Sequence, residues 1–113
     1  MDLTLDQRTH GAWVVVNVGG ELDLYTAPSF RDSVLQAASE TDPPKVIVDF
    51  SRLGFIDSSG LGAIVACLKN LRERGGELTL VAPDGSGLRR LLELTGLDRV
   101  LTVHAAVDDV AAT

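Results

Sequence analysis

Apolar residues recur along this chain in two rhythms, and the points where one gives way to the other mark its elements. Leu3-Thr4-Leu5 alternates, and Trp13-Val14-Val15-Val16-Asn17-Val18 is a β-branched run. Both predict strands, joined by a hairpin turn at His10-Gly11. Gly19-Gly20 is expected to end the second strand, with Glu21-Leu22-Asp23-Leu24 leading outward. Thr26 reads as a helix N-cap, with Pro28 in the first turn. Phe30, Val34, Leu35 and Ala38 make one apolar stripe, and Asp42-Pro43-Pro44 forbids its continuation.

Lys45-Val46-Ile47-Val48-Asp49-Phe50 is short and almost wholly apolar, the pattern of a strand buried on both faces. Ser51 to Ile56 reads as a loop. Leu61, Ile64, Val65, Leu68 and Leu71 then follow at helical spacing as far as Gly75-Gly76. Glu77-Leu78-Thr79-Leu80-Val81 is a further strand. Pro83-Asp84-Gly85 turns the chain into a helix carrying Leu88, Leu91, Leu92 and Thr95, which Gly96 stops from a C′ position. Val100 to Val103 is the last strand, and Val107 to Ala112 is expected to add a terminal helical turn. Strand–helix–strand crossovers after a hairpin imply parallel pairing with right-handed connections. The expected fold is therefore α/β (α+β), a single mixed β-sheet packed against about four helices.

Composition narrows the class. The 113 residues make one domain. Surface scaling gives roughly 6,000 Å² exposed when folded against roughly 17,000 Å² unfolded, enough burial for a core without staples. Hydrophobic residues are 45% and aromatics only 4%, so Val, Leu, Ile and Ala must build that core. Mean hydropathy is +0.18. No apolar stretch approaches the roughly 20 residues of a membrane span. The net charge of −6 argues against a nucleic-acid binder, which wants a basic face. Nine of the sixteen acids but only four of the ten bases fall in residues 1–57, so the first half is suited to a basic partner or is simply a solvated acidic face. A single cysteine, Cys67, excludes an internal disulfide and any multi-cysteine metal site. Met1-Asp2-Leu3-Thr4 shows no export pattern, so a reducing cytoplasm is the expected location.

Asp57-Ser58-Ser59-Gly60-Leu61-Gly62 is the segment with candidate chemistry. It opens an apolar helix, so its backbone N–H groups face solvent and favour added negative charge. Phosphate on a serine there would meet N–H donors and the positive end of the helix dipole. The competing structural reading makes Ser58 or Ser59 the N-cap, with Gly60 and Gly62 allowing close helix–sheet packing. A serine nucleophile is disfavoured, because neither His10 nor His104 has a catalytic setting and the nucleophile-elbow pattern is absent. Gly85-Ser86-Gly87 lacks the lysine and length of a nucleotide loop and reads as a turn with an N-cap. Arg72, Arg74, Arg89, Arg90 and Arg99 read as exposed helix charges, Cys67 as a small hydrophobe, and Asp108-Asp109 as a helix cap. No metal constellation is present.

Val46-Ile47-Val48-Asp49-Phe50 followed by Phe55-Ile56-Asp57-Ser58-Ser59-Gly60-Leu61-Gly62 resembles the signature of STAS-domain anti-sigma factor antagonists. Gly20-Glu21-Leu22-Asp23 with Thr26-Ala27, Gly75-Gly76-Glu77-Leu78, and Leu94-Thr95-Gly96-Leu97 also fit, so the resemblance covers residues 1–113. It implies a binding module and not an enzyme. The unphosphorylated protein would bind an anti-sigma factor that is also a serine kinase, freeing the sigma factor. Phosphorylation would release it, and a metal-dependent serine phosphatase would restore it. The resemblance places the acceptor at Ser58, with Ser59 beside it as the second candidate. It places the partner surface at Asp23, Asp57, Ser58, Ser59, Gly60 and Leu61. The protein itself would hold no cofactor, ATP being supplied by the kinase, and would be a monomer or weak dimer. Alternatives that share the domain are a soluble STAS subunit of an ABC-type lipid transport complex and a stressosome-type scaffold module.

Overall fold

In the computed structural model, which describes residues 2–113, an antiparallel hairpin opens the chain. Met1, part of the segment read above for an export pattern, lies outside the described residues. Strand β1 (Leu3–His10) pairs with β2 (Trp13–Leu22), with His10 opposite Trp13. Helix α1 (Ala27–Ala38) leads to β3 (Lys45–Ile56), α2 (Ser58–Glu73) to β4 (Glu77–Val81), and α3 (Gly87–Thr95) to β5 (Thr102–His104). The sheet order is β1-β2-β3-β4-β5, with every pairing after the hairpin parallel. Each crossover advances one strand in the same direction, and right-handed crossovers of that kind place all the helices on one face.

That face holds the main core. Val14, Val16 and Val18 of β2 and Val46 and Val48 of β3 meet Phe30 and Val34 of α1 and Ile64, Leu68 and Leu71 of α2. Leu88 and Leu92 of α3 extend it. The other face carries the residues in between: Trp13, Val15, Ile47 and Val81, which pack with Val107 and Val110 of the C-terminal segment. This segment is a strap. The Trp13 Nε1–H donates to the Ala111 carbonyl (3.0 Å), the Ala12 N–H to the Ala112 carbonyl (2.8 Å), and His10 Nε2 to the Val110 carbonyl (2.7 Å). The accessible surface, 5975 Å², matches the value expected from chain length.

Three expectations need correction. Ser51 to Ile56 is strand, not loop. β3 continues to Ile56 and pairs with a β2 that runs through Gly19-Gly20 to Leu22, with register shifts after Asn17 and after Gly20. β4 stops pairing at Asp49, so this half of β3 overhangs the sheet with only β2 beside it. Its residues are mostly exposed, and an overhang needs no apolar alternation. The terminal helical turn is a single 3₁₀ turn over Val107–Asp109 followed by the extended strap, leaving three α-helices among the described residues. The last strand begins two residues later than expected, because Leu97–Arg99 forms a 3₁₀ turn that carries the chain to Thr102.

Candidate functional site

Asp57 lies at the end of the overhang and is the N-cap of α2. Its φ of −110° and ψ of −174° are extended, and its Oδ1 accepts from the Gly60 N–H at 2.9 Å. Neither serine is the cap, which settles one of the structural readings above. Ser58 occupies the first helical position and Ser59 the second. Ser58 is exposed, and its hydroxyl has no hydrogen-bond partner among the described residues. Ser59 is half-buried. The first N–H groups of a helix have no partner within it, so this end presents free donors and the positive end of the dipole beside an exposed hydroxyl.

The helix start is seated on the end of β2. The Asp57 N–H donates to the Leu22 carbonyl (3.2 Å), and Leu61 N–H closes the first helical bond to the Asp57 carbonyl (3.0 Å). Gly60 is buried at the crossing. A Cβ there would lie 2.6 Å from the Leu22 carbonyl oxygen, 2.8 Å from its Cγ and 3.0 Å from Ile56 Cγ1. Gly62 plays no such part: its Cβ position faces open space. Leu61 is half-buried against the main core.

Asp23 sits where β2 gives way to α1, and it is only 5% exposed. Its Oδ1 accepts from the Tyr25 N–H (2.9 Å) and Thr26 N–H (3.0 Å), while its carbonyl accepts from Ala27 N–H (2.9 Å). The Thr26 hydroxyl donates to the Glu21 carbonyl (2.8 Å) and accepts from the Asp23 N–H (2.9 Å). Thr26 is thus at the cap position as expected, but its side chain ties the turn and does not cap the helix. The Thr26 N–H above all, with that of Tyr25, holds the Asp23 carboxyl below its ordinary value, against burial, which pushes it up. Asp23 Oδ2 and Glu21 Oε2 are buried without partners.

A turn fixed this way pushes its two apolar residues outward. Leu24 is 63% and Tyr25 82% exposed, and Phe55, opposite Glu21 on β3, is 49% exposed. These three were not singled out as contact residues from sequence. The available signal was two large apolar residues, Leu24-Tyr25, in a four-residue connection where turn residues are usually polar. The site residues expected from sequence therefore divide. Asp57, Ser58, Ser59, Gly60 and Leu61 form one continuous helix start, and Asp23 lies in the adjacent turn as a buried organiser. Gly85-Ser86-Gly87 is a turn and cap as expected, Ser86 Oγ accepting from the Arg89 N–H. Cys67 is buried in the core.

Ser58 thus stands exposed at a helix start of a small α/β domain that also leaves Leu24, Tyr25 and Phe55 unburied. The STAS domain model matches residues 4–110, and the chain belongs to that family. It is 32% identical over 108 residues to the anti-sigma-B factor antagonist of Staphylococcus aureus, a match covering 96% of this chain and 98% of that protein. The crystal structure of a putative anti-sigma factor antagonist from Thermotoga maritima superposes with a TM-score of 0.81 at 27% identity, covering 93% and 89% of the two chains. The structure of the Bacillus cell fate determinant SpoIIAA in its phosphorylated form gives a TM-score of 0.66 at 25% identity, covering 96% and 95%.

Proposed function

We propose that this protein is an anti-sigma factor antagonist of the cytoplasm that works by binding and not by catalysis. Unphosphorylated, it docks through the start of α2 at Ser58, with the exposed Leu24, Tyr25 and Phe55 as apolar contacts, on an anti-sigma factor that is also a serine kinase, and so frees the sigma factor. The kinase, with its own ATP, transfers phosphate to Ser58, and the complex separates. A serine phosphatase resets the protein.

The observation that carries this reading is the division of labour at the helix start. Asp57 caps α2, so the exposed Ser58 hydroxyl has no structural duty and is available to a kinase. Ser59 is half-buried, which supports Ser58 as the acceptor of the two. A phosphate there adds about −1.5 to −2 charges. Within the fold the free N–H groups and dipole accommodate it. At the docking face the same charge, beside Asp57, adds repulsion and desolvation. A coupling of about 3 kcal/mol would change affinity roughly 150-fold. The modification therefore alters binding and leaves the domain folded.

Calorimetry against the cognate kinase, with ADP present to stop turnover, tests the reading. Ser58→Ala should bind as tightly as the native protein, and Ser58→Asp at least tenfold more weakly, a loss of about 1.4 kcal/mol. The loss should shrink as salt shortens the Debye length below about 8–10 Å. Equal affinity for the two variants would show that Ser58 does not gate docking. Phosphopeptide mapping that puts all phosphate on Ser59 would reassign the acceptor.

A further inference from the structure

The helix-free face of the sheet changes character halfway along its strands. Val15 and Ile47 lie under the strap, but one step further along the same face the residues are Asn17 and Asp49, paired with each other, with Asp6 of β1 opposite Asn17. The next row is Thr4, Gly19 and Arg52. These rows line an open cleft of about 330 Å³.

Its charges are unequally satisfied. Arg8 reaches across β2 to Asp49, Nη2 to Oδ2 3.7 Å, and Asp49 Oδ1 also accepts from the Ser51 N–H at 2.9 Å. Asp6 and Arg52 remain. They carry opposite charges on opposite walls, and neither has an ion pair or hydrogen-bond partner for its side chain among the described residues. From strand spacing and rise their Cα atoms stand about 12 Å apart. The floor between them is the half-buried Asn17 amide, which has no partner either, and Gly19. A Cβ on Gly19 would lie 2.6 Å from Thr4 Oγ1, so any side chain there fills the cleft.

A simple anion entering this cleft meets Asp6, and a simple cation meets Arg52 and Arg8. A molecule bearing both charges satisfies both walls. We propose that the cleft binds a small zwitterion of the α-amino-acid class, its ammonium group against Asp6 and its carboxylate against Arg52. The Asn17 amide accepts from the first and donates to the second. The volume lies at the small end of the roughly 300–1,000 Å³ range of ligand pockets, which suits one amino acid and not a nucleotide. The site stands on the face away from the helices, and its binding is independent of the state of Ser58.

Amide chemical shifts of the full chain, titrated with L-serine, L-glutamine and L-alanine, test this, with acetate and methylamine as half-molecules. At least one zwitterion should move the Thr4, Asn17, Gly19 and Arg52 amides saturably with a Kd of about 1 mM or tighter. Arg52→Ala and Asp6→Asn, both exposed positions, should each weaken that binding at least tenfold, and Ser58→Ala should leave it unchanged. Absence of saturable shifts with all three zwitterions would overturn the proposal. So would equal binding of acetate or methylamine, or an Arg52→Ala titration superimposable on the native one.

Discussion

Gly60 and Gly62 lie two residues apart in the same helix, and replacing each by alanine should move stability in opposite directions. At Gly62 the new Cβ meets open space, so the substitution removes only the backbone-entropy penalty of glycine in a helix. That is a gain of about 0.5–1 kcal/mol. At Gly60 the Cβ would stand 2.6 Å from the Leu22 carbonyl oxygen, a backbone atom that cannot rotate away. Overpacking of this kind costs about 1–3 kcal/mol. The helix-propensity gain offsets part of it, leaving a net loss of about 1–2 kcal/mol. At roughly 4 °C per kcal/mol for a domain of this size, Gly60→Ala should melt about 4–8 °C lower and Gly62→Ala about 2–4 °C higher. Urea unfolding followed by circular dichroism measures both, and equal m-values would confirm that only stability changed. If Gly60→Ala were as stabilising as Gly62→Ala, α2 would not be seated on the end of β2, and the described position of Ser58 would be wrong.

Ser58→Asp places a charge at an exposed first helical position and should change unfolding free energy by no more than about 1 kcal/mol; a melt lowered by tens of degrees would mark Ser58 as a packing residue. Asp23 is held below its ordinary pKa of 3.8 in the native state, so the stability it contributes is fully present above that value and is lost as pH falls from it toward the native value. Unfolding curves collected across that acid range should fall less steeply for Asp23→Asn than for the native protein, and parallel curves would refute the assignment. Burial pushes the Cys67 thiol up to about 11, so Ellman's reagent should label it only as fast as the protein opens, with rates that rise with urea. Rapid labelling in native buffer would place Cys67 outside the core.

Elements that bury an apolar face were readable from spacing alone. Phe30 and Val34 on α1, Ile64, Leu68 and Leu71 on α2, and Val14, Val16, Val18, Val46 and Val48 of β2 and β3 all lie in one core. The second half of β3 was not readable, because Ser51, Arg52, Gly54 and Phe55 are exposed, Leu53 and Ile56 are only partly buried, and pairing with β2 holds the strand without a continuous apolar pattern. The site shows the same limit. Its location followed from an acidic residue and two serines at a helix start, but three residues there had side chains able to cap, and only geometry assigns that duty to Asp57. Exposure of Leu24 and Tyr25 depends on hydrogen bonds that turn the Asp23 side chain inward, a detail that no periodicity encodes.

The strap has a consequence for how the protein is made. Trp13 and Val15 are covered by Val107 and Val110, contacts about a hundred residues apart in sequence. During synthesis the outer face of the first hairpin has no cover until residues 107–113 have emerged. At about 5–20 residues per second that is an interval of roughly 5–20 s. The nascent domain therefore spends most of its assembly with an apolar patch open to chaperones or to a neighbouring chain. Trp13 is the only tryptophan, and its indole N–H is bonded to the strap, so its fluorescence times the moment that patch closes.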